Sequence, residues 1–251
     1  MKRARNPVVA LALLAVLAPG SLRAQVCAGF PSLRDTRFRV AASAASYTYA
    51  TALGVSLTAG RKVFGTLGAG VTHDGELHAS TYDLSLEGGA DIAFGPERRV
   101  FLCPVAALSV SLGPHDFLLQ PEDYRYVSGT LGLGLAAVAV RGHRLTVLPA
   151  GGLRAVRLRA TRTYTSPEET IGWTESDTYL LFTLGVGLVF NEVLTIRPGV
   201  TVPFDFVPPG APYPFAVPFG REEREVSLGI SVGINFGRRT RSPPQDPARL
   251  Q

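Results

Sequence analysis

In the stretch EVSLGISVGINFG (225–237), every second residue from Val226 to Phe236 is bulky and apolar: Val226, Leu228, Ile230, Val232, Ile234 and Phe236. Between them stand Ser227, Gly229, Ser231, Gly233 and Asn235. Strict period-two alternation marks a β-strand with two chemically different faces. In a soluble β-sandwich the bulky face meets a shared core and the other face meets water, so it carries Lys, Glu, Asp and Arg. Here the second face is almost bare. That suits the inside of a narrow barrel, where Gly, Ser, Ala and Thr leave room, with the bulky face turned to lipid.

The same alternation recurs along the chain. It runs through RFRVAASA (37–44), ATALGVSLTA (50–59), KVFGTLGAGV (62–71), STYDLSLEGGADIAF (80–94) and VFLCPVAALSVSL (100–112). It continues through TLGLGLAAVAV (130–140), RLTVLPAGGLRAVRLRA (144–160), TYLLFTLGVGLVF (178–190) and VLTIRPGVTVPF (193–204). With the opening stretch the count is ten strands, eight being the alternative. Segment 144–160 is the least regular, and its change of phase at Gly151–Gly152 reads as a β-bulge.

The connections alternate between short and long. Gly60-Arg61, GPERR (95–99), RGH (141–143) and Asn191-Glu192 are short. THDGELHA (72–79), GPHDFLLQPEDYR (113–125), the stretch around TSPEETIGWTES (165–176) and DFVPPGAPYPFAVPFGREE (205–223) are long. Tight turns on one rim and long loops on the other describe a closed, antiparallel, up-and-down transmembrane β-barrel. Closure pairs every backbone polar group without an edge, as lipid demands.

Composition agrees. Of 251 residues, 46% are hydrophobic and only 18% charged, against about 25% in ordinary soluble domains. The segment MKRARNPVVALALLAVLAPGSLRAQ opens with Lys2, Arg3 and Arg5, then an apolar run from Val8 to Leu17. That is the layout of a secretory signal peptide over residues 1–24, with cleavage expected after Ala24. The run is shorter than the about 17 to 25 residues of a membrane anchor. Cys27 follows Ala-Gln-Val, which is not a lipobox. Removing residues 1–24 lowers the net charge from +5 to +1, and the Arg-rich tail 238–251 carries +3, so the body holds −2. The basic character sits at the two ends, which excludes a nucleic-acid partner bound by a basic face. No nucleotide loop, zinc signature or Ca²⁺ loop is present, and neither a cofactor nor a metal is expected.

Taken together, the leader, the ten alternating segments, the paired loop lengths and the SVGINF ending resemble the small outer-membrane β-barrel proteins of bacteria. Ser231, Gly233 and Phe236 match that class's insertion signal: a polar residue, Gly two on, and an aromatic three after that. A second aromatic normally closes the chain in the family pattern; here Arg238 stands there and the tail runs on. The resemblance implies a barrel over residues 36–237, in the bacterial outer membrane with long loops extracellular. It further implies a periplasmic N-terminal segment (25–35) and a periplasmic, disordered tail (238–251). The implied partners are outer-membrane lipid, the barrel-insertion machinery and periplasmic chaperones; no external ligand is named.

If the apolar stripes face lipid, the opposite residues line the lumen. Asp83, Glu87 and Asp91 share one inward face, and Arg39, Arg197 and, past the expected bulge, Arg157 and Arg159 join them. Two readings follow: a structural plug of paired charges, or a narrow pathway for ions or small solutes. Arginines filling a ten-stranded bore favour the plug. Cys27 and Cys103 are the only cysteines, and an exported chain with two cysteines is expected to join them. Such a bond would pin the N-terminal segment in the periplasmic mouth. His73-Asp74, His78 and His115-Asp116 fall in expected outer loops, the raw material of a rim hydrolase, but no spacing makes them a dyad. Tyr47, Tyr49, Tyr124, Tyr126, Tyr164, Trp173 and Tyr179 read as an aromatic girdle. The resulting expectation is a non-enzymatic barrel with a structural or surface-binding role; the channel and the hydrolase are the alternatives.

Overall fold

Each alternating segment forms a strand, because one pleated face takes large and β-branched side chains while the other takes small ones. The computed structural model describes Cys27, Phe30 and residues 38–48, 50–60, 63–75, 79–95, 99–113, 116–117, 120–142, 144–165, 169–204 and 226–236. The expected signal peptide, the tail 238–251 and the Pro-rich connection 205–223 lie outside the described residues. In chain order the strands are β1 (Phe38–Ser46), β2 (Ala50–Gly60), β3 (Val63–Asp74), β4 (Ala79–Ala90), β5 (Ile92–Phe94), β6 (Val100–Leu112) and β7 (Asp116–Phe117). Then follow β8 (Gln120–Ala137), β9 (Val140–Arg141), β10 (Leu145–Thr165), β11 (Thr170–Phe190), β12 (Leu194–Pro203) and β13 (Ser227–Phe236). β5 continues β4 after an interruption at Asp91, and both keep one register on β6, Gly89↔Val105 and Ile92↔Leu102. β7 and β9 are two-residue pieces beside β8 and β10.

Ten antiparallel crossing strands remain, and they form a closed ring. β1 pairs with β13 from Phe38↔Phe236 to Ser46↔Leu228, while β6 pairs with β8 on the far side of the circuit. No helix of the described residues is long and apolar enough to cross a membrane. The bulky stripe of β13 lies outside, with Leu228 66% exposed, while Ser227, Gly233 and Asn235 are buried inside. Leu53, Leu67, Leu84, Leu108, Leu131 and Leu184 extend that apolar exterior around the ring. A belt of this size is unstable in water and stable against hydrocarbon.

Both ends of the barrel strands, Phe38 and Phe236, lie on one rim, here the terminal rim. Its turns are tight. At the β11–β12 hairpin Asn191 and Glu192 both adopt positive φ, 49° and 61°, the twist a two-residue hairpin needs. At the β2–β3 turn Gly60 has φ +123°, and an added Cβ would strike the backbone of Val63 and Phe64. Gly60→Val is therefore expected to cost 1 kcal/mol or more, on the order of other φ-incompatible substitutions. A urea titration of the folded barrel in detergent should show a lowered midpoint, and an unchanged midpoint would contradict the turn geometry.

On the opposite, far rim two expectations are corrected. The long loops read at 113–125 and 165–176 are largely strand: β8 begins at Gln120, and β10 and β11 run 21 residues each. Only about 9 to 11 tilted residues are needed to cross the apolar layer, so this hairpin projects well beyond it. The bulge read at Gly151–Gly152 is also absent. β10 pairs one-for-one with β11 along its whole length and with β8 from Ala150 to Tyr164, for example Gly152↔Thr183 and Gly151↔Leu135. Arg157 and Arg159 therefore stay in the outward phase and are exposed, not in the lumen. Among the described side chains of this strand, the inward arginine is Arg154.

Candidate functional site

The lumen holds the chemistry. Row by row, inward glycines make space for larger side chains from elsewhere on the wall. A Cβ on Gly132 would lie 2.8 Å from Arg154 Cγ, and one on Gly185 would lie 3.0 Å from Arg197 Nε. The bare faces noticed in the sequence thus serve as sockets for two guanidinium groups.

Near the middle of the bore, Arg154 Nη1 of β10 meets Glu87 Oε2 of β4 at 3.1 Å. Since β6 and β8 stand between those strands in the ring, this ion pair reaches across the lumen. Arg197 of β12 lines the same cavity of about 240 Å³, together with Asp91, Cys27 and Cys103. It feels Glu87 as attraction and Arg154 as repulsion, so two arginines share one carboxylate. Arg197 Nε is buried and has no hydrogen-bond partner among the described residues.

Toward the terminal rim, Arg39 is 1% exposed and Asp91 2% exposed. Arg39 Nε donates to Asn235 Oδ1 at 2.8 Å, and Asn235 Nδ2 donates to the carbonyl of Glu192 at 3.0 Å. The guanidinium thereby ties the closing strand to the β11–β12 turn. Asp91 supplies the carboxylate whose charge acts on Arg39, and burial makes such pairing obligatory.

Cys27 and Phe30 of the N-terminal segment sit in this mouth. Cys27 and Cys103 place their sulfurs at bonding distance, 1.95 Å, with Cα atoms 5.9 Å apart. Cys27 sits against Gly134 of β8, and the Phe30 ring sits against Gly233 of β13, with Arg39 Cζ 4.5 Å from its centroid. These contacts fall four strands apart in the ring, so Cys27 and Phe30 sit against different parts of the wall. Cys27, Asp91 and Cys103 form the one described group with metal-ligand chemistry. Sulfurs bonded to each other leave a lone carboxylate, which is no metal site.

Beyond the ion pair lies a larger cavity of about 410 Å³, lined by Ser43, Ser56, Thr72, Asp83, Ser109 and Tyr126 among others. Asp83 Oδ2 accepts from Thr72 Oγ1 at 3.4 Å. Tyr126, Val156, Leu158 and Tyr179 pack together at its far end. Tyr126 and Tyr179, read from sequence as girdle residues, are buried inside instead. Around them the barrel has risen past the apolar belt, so its interior is the dry side.

Of the rim histidines, His73 Nδ1 lies 3.1 Å from Ser80 Oγ on the exposed exterior. Asp74, the next residue, is buried on the opposite face of β3, so it does not orient that imidazole. His78 and His115 lie outside the described residues, as does the side chain of Asp116. Ser231 stands between Ser43 and Arg197 in the ladder, and Phe236 lies outside beside Phe38. Sequence reasoning missed Arg154, Asn235 and Phe30; for Arg154, unbroken even-number phase from Leu148 was the available signal.

No family model and no curated protein sequence matches the chain. Solved structures do resemble it. The translocator domain of the autotransporter NalP from Neisseria meningitidis aligns with TM-score 0.50 and 16% identity, over 80% of this chain and 89% of that one. The N-terminal β-barrel domain of Pseudomonas aeruginosa OprF gives TM-score 0.34 and 15% identity over 81% and 98%. The outer membrane protease OmpT from Escherichia coli gives 0.40 and 7% over 80% and 94%. At 16% identity the likeness to the NalP domain speaks to fold alone. The closed ring of ten strands is the bacterial outer-membrane β-barrel fold.

Proposed function

We propose that this chain is a non-enzymatic, non-conducting barrel of the bacterial outer membrane that serves as a rigid platform for its far-rim connections. One observation carries the reading. The bore is occupied at two levels, by the Glu87–Arg154 pair across its middle and by Cys27 and Phe30 at its mouth. A pathway for solutes would need open polar space from rim to rim. In this reading residues 1–24 direct export, both barrel termini are periplasmic, and the far rim faces outward. The Cys27–Cys103 disulfide retains the plug, residues 238–251 remain a periplasmic tail, and Ser231, Gly233 and Phe236 present β13 to the insertion machinery. The long connection between β12 and β13, with its Pro and Phe residues, is the natural contact surface.

Planar-bilayer recording of the purified, oxidised protein tests this. No steady conductance is expected. Stable open levels that vanish on changing Asp83, Glu87 or Arg197 would instead establish the narrow-channel reading.

A further inference from the structure

We propose that Arg125, Arg157 and Arg159 form a ledge on the barrel exterior that binds the phosphate groups of lipid headgroups in the far-rim leaflet. This rests on the membrane placement proposed above.

The ledge is visible in the strand register. On β10 the outward residues are apolar through Leu153 and Ala155, and then become Arg157 and Arg159. On β11 the outward residues are apolar from Phe190 up to Leu180, and then become Thr178, Ser176 and Thr174. The two changes fall at one level, because Ala155 pairs with Leu180 and Arg157 with Thr178. Counted along β10 from Leu145, the apolar stretch spans about the 9 to 11 residues that cross a bilayer core. Arg157 is therefore the first outward residue past the hydrocarbon, at headgroup depth.

Neighbouring positions concentrate the charge. Arg159 pairs with Val127 of β8, and Arg125 lies two residues further along that strand. Such diagonal neighbours are roughly 7–8 Å apart at Cα, and Arg157 and Arg159 are roughly 6.6 Å apart on their own strand. Arginine side chains are long enough to reach a common anion over that distance. All three are exposed, and among the described residues none has an ion-pair or hydrogen-bond partner. The outward hydroxyls of β11 beside Arg157 add donors. A guanidinium presents paired N–H groups that match two phosphate oxygens, and the low dielectric at the edge of the apolar layer strengthens the contact. Phosphate diesters and monoesters of lipid headgroups are the anions that occupy this depth.

Native mass spectrometry of the full chain in neutral detergent, with equimolar phosphatidylglycerol and phosphatidylcholine, reads the ledge directly. Roughly tenfold preferential retention of the anionic lipid is expected, equivalent to about 1.4 kcal/mol. Arg125→Gln/Arg157→Gln/Arg159→Gln should abolish the preference, while the corresponding triple Lys variant retains part of it. Equal retention of both lipids by the native protein would overturn the proposal. So would undiminished preference in the Gln variant, provided it still migrates as a heat-modifiable folded barrel. If the triple variant does not fold, Arg157→Gln and Arg159→Gln are read singly by the same ratio. The assay in detergent does not depend on orientation. Labelling of Thr174→Cys in intact cells by an impermeant maleimide tests the membrane placement separately, external labelling being the expected result.

Discussion

Leu184→Arg is expected to destabilise the inserted barrel by about 2–4 kcal/mol, the cost of a cation at the bilayer midplane on the lipid face of a barrel. Leu184 points outward, is 46% exposed and pairs with Gly151, near the centre of the apolar stretch of β10 and β11. Six residues toward the far rim on the same face stands Thr178, paired with Arg157. Thr178→Arg should cost only about 0–1 kcal/mol, because the charge there has left the hydrocarbon. Folding titrations into phospholipid vesicles, read by heat-modifiable migration, compare the two directly. Equal costs would show that the belt has been placed at the wrong depth.

Glu87→Ala attacks the lumen instead. It removes the carboxylate that Arg154 holds at 3.1 Å and that also offsets the charge of Arg197. Stranding a fully buried charge costs about 3–5 kcal/mol. With Glu87 21% and Arg154 33% exposed, screening lowers the expected loss to about 2 kcal/mol. Glu87→Leu combined with Arg154→Leu removes both charges, and should recover much of that loss, since packed apolar residues often replace an ion pair without penalty. A double-mutant cycle on the urea midpoint isolates the coupling. Additive losses would mean the cross-lumen pair contributes nothing.

Most of the fold was legible from residue alternation, because one physical constraint repeated on every strand. Residues facing lipid must be apolar, and residues facing a crowded bore must be small or carry paired charge. Asp83, Glu87, Asp91, Arg39 and Arg197 could be placed from that rule by counting. Arg157 and Arg159 could not, for an identifiable reason. Beyond the apolar belt the environments exchange: the exterior meets water and the interior becomes the dry side. The inward phase on β10 therefore runs from Ala150 and Gly152 through Arg154 to Val156 and Leu158, while the outward phase turns from Leu153 to Arg157. Read under a single polarity rule, that exchange looks like a backbone slip. The buried Tyr126 and Tyr179 have the same cause. The Glu87–Arg154 pair was hidden for another reason: it joins strands three apart in the ring, and only closure brings them together.

A spin-label scan of the strand that closes the ring, Leu228 to Ile234 on β13, tests the account at its root. Labels at Leu228, Ile230, Val232 and Ile234 should collide freely with dissolved oxygen in the lipid phase, and those at Gly229 and Ser231 should not. A period-two oscillation in oxygen accessibility, in phase with the bulky residues, is the predicted result. A flat profile, or one in which Gly229 and Ser231 are the lipid-accessible positions, would contradict a barrel whose small-residue face encloses the lumen.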